Sequence, residues 1–313
     1  MITTLGHTGL RVTRIGIGLA ALGRPGYITV GHAADLAGHT DVASMERAAH
    51  EVLDAAYAGG VRYFDAARSY GKAEAFLASW LDARGLGRDD VTVGSKWGYR
   101  YTAGWRTDAE VNEVKELDAP MLRRQLAETR ALLGDHLRLY QIHSATIESG
   151  VLDDHEVLDE LAQLRATGVF IGFTTTGPAQ AQTIERALEV GGFDSVQSTF
   201  NLLERSAGPA LAAAHEAGLG VIIKEALANG RLTDRGDVPE LIAAAREAGA
   251  TPDALALAFV LSQPWVDVAL SGADTAAQLQ SNLGALEVKP EGLDDLAQDP
   301  DTYWRHRSEL PWN

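Results

Sequence analysis

Cysteine is absent from the 313 residues, which excludes both disulfides and thiolate catalysis. No stretch approaches the roughly 18 uncharged apolar residues that a membrane-spanning helix needs. The opening Met1-Ile2-Thr3-Thr4-Leu5-Gly6-His7 lacks the basic and apolar regions of a secretory leader. Together with the missing cysteine, this leads us to expect a cytoplasmic protein. Basic residues are scarce: 27 Lys and Arg stand against 43 Asp and Glu, a formal net charge of −16. Such a surface does not suit nucleic acid, whose phosphates must be held by Lys and Arg. Low-complexity segments, short repeats and composition breaks are also missing. What remains is 46% hydrophobic and 22% charged, ample material for a packed core.

The dominant positive signal is alternation. Short β-rich runs recur at residues 14–19, 61–65, 91–96, 137–143, 169–174, 195–198, 220–224 and 266–271, each separated from the next by a helical pattern. Met45, Ala48, Ala49, Val52, Leu53 and Ala56, for example, recur at helical spacing before Gly59-Gly60 stops the helix. Pro120 marks another helix start, and Thr251-Pro252 reads as a cap followed by proline. Eight β/α units without a linker predict an α/β fold, a (β/α)₈ TIM barrel forming a single domain over residues 1–313. Two connections, residues 23–41 and 97–119, exceed the usual βα length, and such loops at strand C-termini are where barrels build active sites. The second is rich in rings, with Trp97, Tyr99, Tyr101 and Trp105, and predicts a substrate pocket that stacks on a sugar or aromatic ring. The aromatic tail ending in Pro311-Trp312 either covers the barrel mouth or packs on outer helices.

Polar residues fall at strand ends. Asp65, Lys96 and His143 close three successive strands, and Tyr70 lies just past Asp65. Each alone has an ordinary explanation: a cap, an ion pair, a core histidine, a packed ring. Together on one barrel face they suit proton-coupled hydride transfer. A tyrosine hydroxyl has an ordinary pKa of about 10 and needs help to act at neutral pH. A lysine about 4 Å away stabilises the phenolate by roughly 4 kcal/mol at an effective dielectric near 20, with desolvation opposing. The expectation is a lowered Tyr70 pKa, with Asp65 orienting Lys96 and His143 hydrogen-bonding the substrate oxygen.

The run Gly60-Val61-Arg62-Tyr63-Phe64-Asp65-Ala66-Ala67-Arg68-Ser69-Tyr70-Gly71 resembles the aldo-keto reductase signature. Val93-Gly94-Ser95-Lys96 and Leu139-Tyr140-Gln141-Ile142-His143 are similar to the segments that carry that family's lysine and histidine. Leu5-Gly6-His7-Thr8-Gly9-Leu10-Arg11-Val12-Thr13 resembles its N-terminal hairpin, which plugs the barrel. The resemblance implies an NAD(P)(H)-dependent oxidoreductase acting on a small carbonyl or alcohol, with NADP(H) the commoner coenzyme. It further implies coenzyme contacts from Thr174, Thr175 and Gln197, where the family usually has Ser-Asn and Gln on the carboxamide. Lys224 stands in the place of an aromatic that stacks on the nicotinamide, with Arg231 and Arg235 as diphosphate or phosphate candidates. Gly272, Asp274, Gln278 and Asn282 match the adenosine segment. That window carries no Lys or Arg, and Asp274 would repel a 2′-phosphate and suit a free ribose hydroxyl, so NAD(H) is expected to serve at least as well as NADP(H). Two other classes remain: a lyase forming a Schiff base on Lys96 or Lys224, and a coenzyme-binding regulatory subunit with little turnover.

Overall fold

Parallel neighbours in one sheet need a crossover between them, and a helix is the usual one. The computed structural model describes residues 2–312. The chain opens with an antiparallel hairpin, β1 (Ile2–Thr4) and β2 (Arg11–Thr13). Strands β3 (Ile15–Gly18), β4 (Tyr63–Asp65) and β5 (Thr92–Trp97) follow, then a second hairpin of β6 (Tyr99–Tyr101) and β7 (Glu113–Lys115). Strands β8 (Leu137–Ala145), β9 (Phe170–Thr175), β10 (Ser195–Thr199), β11 (Gly220–Lys224) and β12 (Val268–Ser271) complete the set. All but the hairpins close into a parallel barrel in the order β10-β11-β12-β3-β4-β5-β8-β9. The eight expected barrel strands are present, and no strand end moves by more than two residues.

The helices are α1 (His32–Leu36), α2 (Val42–Ala58), α3 (Ala73–Arg84), α4 (Ala119–Leu133), α5 (His155–Ala166) and α6 (Gln180–Val190). After them come α7 (Gly208–Glu216), α8 (Pro239–Glu247), α9 (Pro252–Leu261), α10 (Ala276–Leu283) and α11 (Pro300–Glu309). Their starts follow from capping chemistry. Asp41 accepts from the Ser44 amide at 2.9 Å before α2, and Asp118 accepts from the Met121 amide at 2.8 Å before α4. In α2 the buried face is Met45, Ala49, Val52, Leu53 and Ala56.

One apolar layer lies between barrel and helices, and a smaller core fills the barrel floor. There Leu5, Leu10 and Val12 of the hairpin segment meet Tyr63, Leu139, Ile222 and Val268. Each such side chain contributes about 1.5–3 kcal/mol on burial. The His7 amide fixes the plug to the Gly218 carbonyl at 3.0 Å. The hairpin therefore closes the barrel floor and leaves the opposite mouth, at the strand C-termini, open to a cavity. Among the described residues no helix is long and apolar enough to cross a membrane.

Candidate active site

Strand alternation puts Tyr63 and Asp65 of β4 on one face, and Gln141 and His143 of β8 on another matching face. All of these side chains turn into the barrel, as does Lys96 of β5. Tyr70 is delivered by the short turn between β4 and α3. That turn is gripped by the first long loop. A Cβ on Gly23 would run into the Tyr70 carbonyl oxygen, and a Cβ on Gly71 (φ +59°) would likewise run into the Gly23 carbonyl oxygen. The Lys72 amide donates to that carbonyl at 2.7 Å. Gly23→Ala must therefore push the Tyr70 turn away. We expect turnover to fall by about 100-fold from misplacement of the hydroxyl. A stability loss of only about 1–3 kcal/mol should accompany it, read by turnover and urea denaturation together.

The four strand-end residues converge. Lys96 Nζ is ion-paired with Asp65 Oδ1, and it also donates to the Ala66 carbonyl at 3.0 Å and the Tyr70 hydroxyl at 3.4 Å. Tyr70 Oη lies 3.4 Å from His143 Nε2. The second Asp65 oxygen accepts from Tyr63 Oη at 3.0 Å, Gln197 Nε2 at 3.0 Å and Gln141 Nε2 at 3.2 Å.

The expected lowering of the Tyr70 pKa is not what the structure shows. Burial holds the phenol well above its ordinary range, Asp65 pushes it further up, and Arg24 opposes. The reason is that Asp65 sits directly on the ammonium, so the pair presents little net charge to Tyr70, while desolvation acts in full. His143 moves the other way: burial, then Lys96, Lys224, Arg24 and Lys115, hold it well below the ordinary imidazole range. Both rings keep a small open face on the cavity, yet the surrounding protein removes most of their water. At neutral pH the site therefore holds a neutral phenol beside a neutral imidazole.

A cavity of about 590 Å³ runs from this cluster to the loops after β11 and β12. That lies within the ~300–1,000 Å³ usual for small-molecule and cofactor sites. The sequence-derived candidates divide sharply against it. Tyr99, Gln197, Lys224, Arg235, Gly272, Gln278 and Asn282 line it, with Tyr99 edge-on to His143 at 5.0 Å. Trp97 does not: it is fully buried among the apolar side chains of the barrel–helix layer. Lys96 points inward, so its neighbour on the strand points outward. Trp105 is also off the cavity, donating to the Thr40 carbonyl at 2.6 Å and packing edge-on to Phe76.

Thr174 and Thr175 lie behind the wall, wholly buried. The first accepts from the Ser144 amide at 2.7 Å, and the second pairs with the Ser198 hydroxyl at 2.7 Å. Arg231 is turned away to Asp237 at 3.0 Å. Asp274 is not on the cavity either, since its carboxylate is buried against His32 Nδ1 at 2.9 Å. Its expected contact with the adenosine ribose is thus lost to an internal ion-pair geometry. Lys224 lines the cavity but is not paired with Glu225: it donates to Thr199 Oγ1 at 3.0 Å. Burial, opposed by Glu225 and reinforced by Arg307 and Lys96, pushes its ammonium down to about 8.

Other residues reach the cavity without a local signature. Arg24 is sandwiched against Tyr70, Tyr27 and Trp312 and ion-paired with Glu113 at 2.6 Å. Glu225, held in the left-handed region at φ +52°, binds Arg307 of α11 bidentately. Burial pushes Glu225 up, but Arg307 and Lys224 outweigh it and take it to about 2. The tail divides its roles: Arg307 and Trp312 line the mouth, whereas Tyr303 and Trp304 pack into the core. Backbone strain costs about 1–3 kcal/mol per residue and collects at sites, and Ser144 (φ +56°) beside His143 is a second case here.

The donor set at the far end suits a dinucleotide. Ser271, Ser281 and Asn282 offer hydroxyl and amide groups, and Arg235 a guanidinium. The space that a Cβ of Gly272 would fill is open. The buried Asn229 carbonyl oxygen of the amide side chain has no partner.

Comparison with known proteins agrees in extent. Residues 14–296 match the profile of the Aldo/keto reductase family. The uncharacterized oxidoreductase YrpG of Bacillus subtilis is 27% identical, over 91% of this chain and 91% of its own. L-Galactose dehydrogenase of Arabidopsis thaliana is 27% identical, over 94% of this chain and 90% of its own. The holo form of the aldo-keto reductase AKR11C1 from Bacillus halodurans superposes with a TM-score of 0.72 at 21% identity, covering 99% of this chain and 96% of that one, a likeness of fold. A profile match across most of the barrel, over strands that carry the converging polar groups, leaves one assignment: the chain belongs to the Aldo/keto reductase family, oxidoreductases acting on carbonyl and alcohol groups.

Proposed function

We propose that this chain, as one barrel domain over residues 1–313 working in the cytoplasm, is an NAD(P)(H)-dependent reductase or dehydrogenase in which Tyr70 is the acid–base group. The supporting observation is the Tyr70 hydroxyl itself, placed 3.4 Å from both Lys96 Nζ and His143 Nε2 at one end of a cavity whose other end suits a dinucleotide. When bound, a nicotinamide coenzyme supplies the hydride to a carbonyl carbon or takes it from an alcohol carbon. The chain must handle the proton on the oxygen.

Tyr70 fills that role in reduction because its phenol is protonated at neutral pH and donates as the alkoxide forms. Lys96, held by Asp65, donates a hydrogen bond to the oxygen of the phenolate left behind. His143 cannot be the acid, since its imidazole is already neutral. It orients the carbonyl oxygen toward Tyr70 instead. Lys96 is equally unsuited to Schiff-base formation: its ammonium is committed to Asp65, Ala66 and Tyr70.

The substrate end mixes rings with fixed charges: Tyr27, Tyr99 and Trp312 alternate with Arg24, Glu113, Glu225 and Lys224. Paired donors and acceptors on aromatic walls suit a polyhydroxylated carbonyl compound, as the L-galactose dehydrogenase relative does. NAD(H) is expected to bind at least as well as NADP(H).

Titration of the purified protein with NADH and with NADPH, followed by tryptophan fluorescence, tests this reading. Trp312 lies on the cavity, so micromolar binding should quench it. Absence of binding by both coenzymes at millimolar concentration would overturn the reading, and borohydride trapping of an adduct on Lys224 would then favour the lyase.

A further inference from the structure

The first long loop, residues 23–41, does more than grip Tyr70. Its residues Tyr27, Ile28, Thr29 and Val30 line the cavity, and the loop, which continues into α1, is fastened at three points. The Val30 amide donates to the Asn229 carbonyl at 3.0 Å, and His32 meets Asp274. Third, the Asp35 carboxylate accepts from Arg235 Nη1 at 2.7 Å, Arg235 Nη2 at 2.8 Å and Gln278 Nε2 at 2.7 Å. Gln278 is thereby spent at both ends of its amide, since its carbonyl accepts from the Asp274 amide at 2.8 Å.

Among the described residues, Arg235 is the sole Lys or Arg lining this end of the cavity, and the fork that would grasp a phosphate is already occupied. The groups facing it are all of one sign: Asp35, Asp234 and Asp274 act on its charge, and Asp253 lines the same end. The Asp35 carboxylate is largely buried, whereas the Arg235 guanidinium that it holds is nearly half exposed.

We infer that Asp35, on the strap, is the residue that selects between the two coenzymes, favouring a free ribose diol over a 2′-phosphate. This deepens the coenzyme reading above and rests on it. A phosphate monoester brings about −1.5 to −2 charges to a place where the one cation is neutralised and further carboxylates surround it. A ribose diol brings hydroxyl donors. Asp35 itself does not line the cavity; its three accepted hydrogen bonds hold the Arg235 fork and the Gln278 amide, which do, and an uncharged diol meets none of the repulsion that a phosphate would.

The test is the ratio of dissociation constants for NADP⁺ and NAD⁺, measured by titration calorimetry on the full chain. Wild type should favour NAD⁺ by roughly tenfold or more. In Asp35→Ala the ratio should fall by about tenfold or more, through a gain in NADP⁺ affinity, as the Arg235 fork is released. Asp35→Asn should behave alike, Asp35→Glu should keep the wild-type preference, and adding Arg235→Ala to Asp35→Ala should remove the gain. A strap that had merely come loose would weaken both coenzymes together, so an unchanged ratio overturns the inference while leaving the coenzyme reading intact. Wild type that binds NADP⁺ better than NAD⁺ also overturns it. Binding of neither coenzyme to wild type overturns both.

Discussion

Tyr70→Phe is expected to lower turnover by about 1,000-fold while leaving the affinity for coenzyme within roughly twofold. That corresponds to about 4 kcal/mol of transition-state stabilisation from one oxygen atom. The ring should stay where it is. It is held edge-on to His143, with centroids 5.4 Å apart, and under the Arg24 guanidinium at 5.2 Å. Only the atom that meets Lys96 and His143 is lost. The pH dependence of the wild type carries the same signature. Because Tyr70 is raised and protonated, carbonyl reduction should be flat through neutral and mildly alkaline pH. Alcohol oxidation needs the phenolate, so it should climb with pH over that range. Because His143 is lowered, no loss of activity should appear as pH falls through the ordinary imidazole range near 6.5. Steady-state rates in both directions, in the variant and the wild type, check all three. A reduction rate that titrates near 6.5 would hand the acid role to His143.

Asp65→Asn should be the most destabilising conservative change in the site. The carboxylate is buried and fully used, with one oxygen on Lys96 and the other accepting from Tyr63, Gln141 and Gln197. An asparagine amide nitrogen would face a donor in either orientation, and Lys96 would lose its counter-charge. Removing one partner of a buried pair costs about 3–5 kcal/mol, which a urea midpoint will register. Lys96→Met added to Asp65→Asn should recover much of that stability, because no unpaired ion remains, but none of the turnover. Recovery of turnover in the double variant would mean that the pair is scaffolding alone.

Much of this is legible in the sequence. Alternation gave each barrel strand, because a strand buried on both faces and a capped helix leave different periods in the sequence. The strand-end positions of Asp65, Lys96 and His143 followed from the same reading. Side-chain direction was harder. The ring of Trp97 suggests the substrate pocket, yet its neighbour Lys96 already claims the inward face and a strand alternates. Tyr63 and Gln141, two residues before Asp65 and His143, share their inward face by that same rule and meet Asp65.

The contacts that remained hidden are those made over long distances in the chain. Asp35 meets Arg235 and Gln278, Arg24 meets Glu113 and Trp312, and Glu225 meets Arg307. Each lies on a long loop or the tail, where no period constrains direction. The motif around Asp274 shows why segment likeness falls short there: the carboxylate is present, but His32 from another loop has turned it inward.

In the reaction we propose, this cavity passes hydride between a nicotinamide coenzyme and a carbonyl carbon, with Tyr70 supplying the proton. The most direct test is a single turnover of the wild-type protein with NADH deuterated at the transferable position and an aldose or simple aldehyde, followed by mass analysis of the alcohol. Deuterium should appear on the former carbonyl carbon, at a rate about 1,000-fold slower in Tyr70→Phe. Product formed without deuterium, or formed equally fast without coenzyme, would contradict it.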